Sequence, residues 1–515
     1  MKTSLASTSV LLLLSLAASN HVPWLLLLLL ATLSISLLLF LPAWLGRGGL
    51  AWAPTRARTQ LASLIPPGPS GWPLLGSIPS MGPLAHRNLD SMSTHHNARR
   101  LMALSLGATP VVISTDPTTA REILFGPAFS DRPIKASARL LMFERAIGFA
   151  PAGDYWRHLR RIAATHMFSP RRIAVLEGVR RQAVDNMVAQ VQLRMDTGGQ
   201  MVVREVLEKG SLENVMGSLF GFRVPAREVE LLAEMVREGY ELLGRFSWED
   251  HFPLGALLDF YGVARRCKHL ASRVQVVISK IMEDRRREEE LHQDDFLGVL
   301  LGLPKEESLS DGDIIAVLWE MIFRGTDVVA ILMEWIMARV VLHPAVQAKA
   351  QQELHSIVGN RPVNDSDVPK LCFLQAVVKE TLRMHPPGPL LSWARLAVHD
   401  VHVGKYFVPS GTTAMVNMWA IAHDPKIWKD PWVFRPERFL EEEVNIMGSD
   451  LRLAPFGAGR RVCPGRVLGL TTVHLWLARF LQEYTWVAAR PVQLVECLRL
   501  SLEMKKPLIV GAILR

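Results

Sequence analysis

Ten residues near the C-terminus, Phe456-Gly457-Ala458-Gly459-Arg460-Arg461-Val462-Cys463-Pro464-Gly465, place one cysteine in a glycine-rich loop suited to holding a metal cofactor. Glycine accepts positive φ and lets backbone approach a flat ligand closely. Pro464 stiffens the turn behind the sulfur, and Arg461 offers a cation to an anionic group. A second cluster, Arg324-Gly325-Thr326-Asp327-Val328, sets charged and polar groups in the middle of an otherwise apolar run, which marks a functional position. Glu380 and Arg383 stand three apart, the spacing of an ion pair on one helical face. Trp156 and Arg160 stand four apart.

Each of these groups needs an element to hold it. The run from Ser310 to Leu342, closed by His343-Pro344, is apolar on every side and predicts a long helix buried along its length. Glu320, Arg324, Asp327 and Glu334 interrupt it too often for a membrane span. Leu371 to Met384 predicts the helix that carries Glu380 and Arg383. Leu101 to Ser114 alternates around Gly107-Ala108-Thr109-Pro110 and predicts a short hairpin. Asp116-Pro117, Ser169-Pro170 and Asp424-Pro425 each read as N-cap and first helical residue. Residues 283–295 mix charges of both signs, as a solvated helix end and surface loop would. With no βα alternation and no glycine-rich nucleotide fingerprint, the fold class is mainly α with a minor β portion.

Composition sets the surroundings. Cys267, Cys372, Cys463 and Cys497 show no paired spacing, so neither a disulfide framework nor a zinc site is indicated, and a reducing compartment fits. The net charge of +9 is concentrated at the front, where the first 89 residues hold Lys2, Arg47, Arg56, Arg58 and Arg87 and no acid. The remaining 53 basic and 49 acidic residues are too nearly balanced to indicate a nucleic-acid partner. Trp24 to Leu45 is 22 residues without a charge, about 33 Å as a helix against a hydrocarbon core of roughly 30 Å. It predicts a transmembrane signal-anchor at 24–45 behind a lumenal segment at 1–23, and the arginines that follow put the rest of the chain in the cytosol. The shorter apolar run Val10 to Ala18 fits either an extension of that anchor or the core of a cleaved signal peptide. A basic linker ending in the stiff hinge Pro66-Pro67-Gly68-Pro69 fills 46–69, and a catalytic body runs from 70 to 515.

The cysteine loop follows F-x-x-G-x-R-x-C-x-G, and on this pattern the chain resembles the cytochrome P-450 superfamily. Its other motifs occur in that family's order from Pro66 to Cys463. At finer grain, Phe323-Arg324-Gly325-Thr326-Asp327, Gly148-Phe149-Ala150-Pro151 and Phe129-Ser130-Asp131-Arg132-Pro133 are similar to the plant-specific subfamily 78A, associated with control of organ and seed growth. The resemblance implies the cytochrome P-450 fold and a haem b whose iron is bound by the Cys463 thiolate, with Phe456 and Gly465 framing the loop. It also implies Trp156, Arg160, Arg395 and Arg461 as partners of the haem propionates, because two carboxylates entering an apolar pocket need several cations. Arg438, in Phe434-Arg435-Pro436-Glu437-Arg438-Phe439, would complete a structural lock with Glu380 and Arg383. Leu140, Leu141, Met142, Phe143, Ile147, Phe149, Val328, Val329, Leu390 and Leu391 would wall the substrate pocket.

The activity so implied is monooxygenation of an apolar, fatty-acid-like substrate with O2, using electrons from a separate NADPH-dependent reductase, at the endoplasmic reticulum membrane. The long helix departs from the family's usual pattern, in which an acid and a following threonine relay protons to bound oxygen. Asp327 is kept, with Thr326 before it, but Val328 replaces the alcohol. Family members without that threonine include working monooxygenases and reductase-independent hydroperoxide isomerases or dehydratases. The second group tends to have an enlarged cysteine loop, and the standard spacing from Phe456 to Cys463 favours the first. A non-catalytic membrane haem protein is a further reading, separated from both by whether any turnover occurs.

Overall fold

The computed structural model describes residues 22–515 apart from 60–61, 253–254, 256–258, 260, 289–293 and 392–393. The lumenal segment expected at 1–23 therefore lies almost wholly outside the described residues. Where the anchor is expected there is a helix, Val22–Leu45, of 24 residues with no charged side chain. The side chains at 22–27 and at several later positions lie outside the described residues, and among the described residues no helix is long and apolar enough to cross a membrane.

The linker behind that helix is docked on the body. Trp52 is buried and its indole donates to Leu104 O at 3.1 Å, and Trp44 donates to Gly71 O at 3.0 Å. At the proline-rich hinge Ala103 N donates to Pro67 O at 3.0 Å. Gly68 permits that approach, since a Cβ there would lie 1.8 Å from Ala103 O. The hinge is thus a strip pressed against strand Met102–Leu106.

The long helix spans Asp311–Leu342, with the Ser310 hydroxyl accepting from Asp313 N at its start and Pro344 opening the next helix beyond its end. It packs against helices Val203–Phe220, Cys372–Met384 and Arg466–Glu483. Its first half, with Trp319 and Phe323, belongs to one buried apolar cluster, and its second half, with Trp335, belongs to another. A helix that is apolar all round can only be satisfied in this way, by neighbours on every side. Gly325 brings Val203–Phe220 close, because a Cβ there would stand 2.9 Å from Val215 Cγ2.

The β portion is small. One sheet runs in the order Met102–Leu106, Thr109–Ser114, Thr413–Val416, Arg395–Leu396, with its central pair parallel. A second has the order Met201–Val202, Ile509–Leu514, Tyr484–Ala488. Two hairpins pair Val401–Val403 with Tyr406–Val408 and Glu496–Leu498 with Leu502–Met504. The hairpin predicted from Leu101 to Ser114 sets Leu106 opposite Thr109, so Gly107, at φ 57°, and Ala108 make the turn.

Two of the three predicted helix starts form as caps. Asp116 accepts from Thr118 N and Thr119 N, each at 3.0 Å, and the Ser169 hydroxyl accepts from Arg172 N at 3.3 Å. Asp424-Pro425 differs. The carbonyl of Asp424 accepts from Ile427 N and Trp428 N and its Oδ1 from Lys426 N at 2.9 Å, as a cap would, while Oδ2 pairs with Arg99 at 2.9 Å, but the dipeptide opens a turn after helix Met418–Ala422 and no helix follows.

Candidate active site

The cysteine loop is shaped by its own backbone. Cys463 N donates to Phe456 O at 3.0 Å, and Gly457 and Gly459 sit at φ 69° and 66°. A Cβ at Gly459 would lie 2.2 Å from Leu124 O, so this glycine seats the loop on helix Pro117–Phe125. Helix Arg466–Glu483 starts immediately behind. Burial pushes the Cys463 thiol up, and the Gly465 N–H with Arg324, Arg160 and Arg466 pulls it back.

A three-residue lock holds the scaffold under this loop. Glu380 takes Arg383 bidentately at 2.8 and 2.9 Å and Arg438 Nε at 3.1 Å, and it also accepts Arg435 N at 2.9 Å. Glu380 and Arg383 are 0% exposed. Arg383 reaches on to Ala422 O and Pro431 O, each at 2.8 Å, and Arg438 to Lys429 O at 2.9 Å. Every charge here is paired and hydrogen-bonded, the condition under which a buried ionic network is tolerated.

Cys463 opens onto a cavity of about 320 Å³ between its loop, helix Arg466–Glu483 and the long helix. From the long helix, Glu320, Met321, Arg324, Gly325, Val328, Val329 and Leu332 line it, which is one stripe of a helical surface. Thr326 and Asp327 fall outside that stripe. The Thr326 hydroxyl donates to Ile322 O at 2.8 Å. Asp327 lies toward Glu208, Glu503, Arg204 and Arg324, where burial first and the two carboxylates second push its carboxyl up to about 7. Helical phase turns the alcohol expected in the pocket to the opposite side, while the acid, at the edge of the stripe, is directed to these charged neighbours and does not line the cavity.

Trp156, Arg160, Arg395, Phe456, Arg461 and Gly465 all line the cavity, as expected. The Arg461 guanidinium lies 4.2 Å from the Trp156 ring centroid and donates to Ser130 O at 3.1 Å and Ala150 O at 2.8 Å. Its Nη1 is buried with no hydrogen-bond partner among the described residues. Arg395 donates to Ala458 O and Arg160 to Val462 O, each at 3.0 Å. Arg132 is an addition to the expected set: it lines the cavity and donates to Arg461 O at 3.4 Å. Burial, then Arg395, Arg461 and Arg324, hold Arg132 well below the usual arginine range, and burial with Arg461 brings Arg395 to about 10. Crowded, buried cations of this kind call for anions. A sulfur below, arginines at the rim and apolar Phe456, Leu468 and Leu470 between them fit haem with its two propionates.

A sequence model of the family Cytochrome P450 matches residues 66–509. The chain belongs to the cytochrome P450 family. Among its relatives is Cytochrome P450 78A5 of Arabidopsis thaliana, 52% identical over 94% of this chain and 95% of that protein. Cytochrome P450 78A11 of Oryza sativa subsp. japonica is 51% identical over 90% of this chain and 88% of its own. Flavonoid 3'-monooxygenase of Arabidopsis thaliana is 35% identical over 87% and 91%. This P450 is a monooxygenase, with haem held by a cysteine thiolate as its cofactor.

In the P450 pocket, four of the expected wall residues, Ile147, Val328, Val329 and Leu391, face the cavity. Leu140, Leu141, Met142, Phe143, Phe149 and Leu390 do not. Leu141, Met142 and Phe149 belong to the buried cluster of Trp319 and Phe323, Leu140 and Phe143 pack on it, and Leu390 packs on a cluster around Leu89. Their apolarity serves the core. Phe168, Leu382 and Ser501 take their places in the wall. Glu320 is a further addition, legible in sequence only as a charge in an apolar run.

Proposed function

We propose that this P450 is anchored in the endoplasmic reticulum membrane with its body in the cytosol. There it inserts one oxygen atom from O2 into an apolar, fatty-acid-like substrate in plant organ or seed growth control, with electrons from a separate NADPH-dependent reductase. The observation that carries the reading is a half-buried cysteine and a rim of arginines facing one cavity with an apolar wall. Cys463 would be the iron ligand, and Arg132, Arg160, Arg395 and Arg461 would hold the propionates. Haem bound there supplies oxygen activation, with the thiolate pushing electron density toward O–O cleavage. Val328, Val329, Leu332 and Leu391 exclude water and orient an apolar chain beside it. The uncharged helix Val22–Leu45, followed by Arg47, Arg56 and Arg58, supports the anchor and its orientation. The sequence carries no flavin or nicotinamide fingerprint, which supports a separate electron donor. Similarity to the 78A proteins supports the growth role.

The test is reconstitution with a plant NADPH-dependent reductase. Wild type should show a thiolate-type carbon monoxide spectrum and substrate turnover that needs both NADPH and reductase, and Cys463→Ala should lose both. Turnover of a hydroperoxide with no reductase, and none with NADPH, would replace this reading by the isomerase one.

A further inference from the structure

We propose that Glu320 is the acid that hands protons to the oxygen atom leaving as water. This rests on the monooxygenase reading and deepens it. The overall step is O2 + RH + 2e⁻ + 2H⁺ → ROH + H2O, with the electrons coming from the reductase. Two protons must therefore enter the pocket in each cycle.

The groups expected to carry them do not face the pocket. Thr326 is hydrogen-bonded to its own helix and Asp327 lies outside the lining stripe, while Val328 faces the cavity with nothing to donate. Among the described residues that line the cavity, Glu320 is the one with a carboxyl group. It is 8% exposed. Its Oε1 accepts from Gly148 N at 2.8 Å, and its Oε2 is buried with no hydrogen-bond partner among the described residues. A Cβ at residue 148 would lie 2.5 Å from Oε1, so glycine leaves room for the carboxyl in this position. The loop backbone thus orients the carboxyl while Oε2 lies at the cavity side without a fixed partner among the described residues. Burial raises its hold on a proton, against the Gly148 N–H, Arg324, the Ile147 N–H and Arg132. Arg324 stands one turn further along the same stripe, and Arg160 and Arg461 feel the same charge. In the step itself the Glu320 O–H bond would break and its proton pass to the departing oxygen, and a net proton relayed from bulk solvent through pocket water would restore the acid, twice in each cycle.

The experiment compares Glu320→Gln, Glu320→Asp and Asp327→Asn as reductase-coupled holoenzymes. Haem content and the carbon monoxide spectrum report folding. Glu320→Gln should keep consuming NADPH while product per NADPH falls at least tenfold and released peroxide rises to match, in line with the roughly 10²- to 10⁴-fold worth of a positioned acid. Glu320→Asp should recover part of the product, and Asp327→Asn should lose less than Glu320→Gln. The infrared C–O stretch of the reduced carbon monoxide complex, which senses a nearby proton donor without turnover, should move in Glu320→Gln and stay in Asp327→Asn. An unchanged product-to-peroxide ratio in Glu320→Gln, or an unmoved band, overturns the proposal. Should Glu320→Gln fail to hold haem, Glu320→Asp carries the same comparison. Lack of NADPH-coupled turnover in wild type overturns the monooxygenase reading instead, and the infrared band still decides whether Glu320 faces a bound ligand.

Discussion

Asp327 shows how much one buried carboxyl depends on its neighbours. Its value rises from an ordinary 3.8 to about 7, through burial and then through Glu208 and Glu503, against Arg204 and Arg324. Ionisation therefore costs the folded form more than the unfolded chain. The contribution is intact below pH about 4 and is lost as pH climbs to about 7, amounting to about 4 kcal/mol at most. Asp327→Asn removes this dependence. The melting temperature of Asp327→Asn should gain on wild type by a few degrees between pH 4 and pH 7 and hold a constant lead above that; scanning calorimetry across the range checks it. A gap that does not change with pH would mean that Asp327 already has a compensating partner. The residue scale is also where the sequence reads best and worst. Cys463, Arg461 and Gly465 are legible because one short loop contains their whole geometry. Arg132 and Glu320 are not, because what they do depends on chain segments roughly 190 residues apart in the linear order meeting at one cavity.

Among the elements, the lock on helix Cys372–Met384 ties the helical core to the segment leading to the cysteine loop. Glu380→Ala would leave Arg383 and Arg438 buried without their counter-charge, a loss of about 3–5 kcal/mol. The expected outcome is little haem-loaded protein at ordinary growth temperature, read from the ratio of haem to protein absorbance in the purified fraction. Full haem loading would show that the backbone carbonyls around the two arginines suffice. Helix boundaries were legible wherever a cap was local, as at Ser310 and Ser169. Asp424-Pro425 has the same local chemistry, and Asp424 does accept from Lys426 N, yet only a turn follows it, so a local cap by itself does not make a helix.

For the whole molecule the question is attachment. Removing residues 1–45 should move a large share of the protein from the membrane pellet to the supernatant, with haem content preserved because the docked linker from Trp52 onward remains. Protein that stays wholly in the pellet would assign membrane binding to the body. In the full chain, the sequon Asn364-Asp365-Ser366 should carry no glycan if the body faces the cytosol; a mass shift on glycosidase treatment would reverse that topology.

Sequence alone determined the cysteine loop, the E-x-x-R pair, the long buried helix and the uncharged N-terminal run, because each is written in contiguous residues or a single helical period. Only the tertiary structure decided which residues meet in the cavity. Apolar side chains at 140, 141, 143, 149 and 390 carry the same composition signal as those at 328, 329 and 391, and packing alone sorted core from wall. The same holds for the acids of the long helix: Glu320 and Asp327, seven residues apart, lie within about 20° of each other around the axis, so the neighbours packed at each level, not helical phase, put Glu320 on the cavity and Asp327 toward Glu208, Glu503 and Arg204.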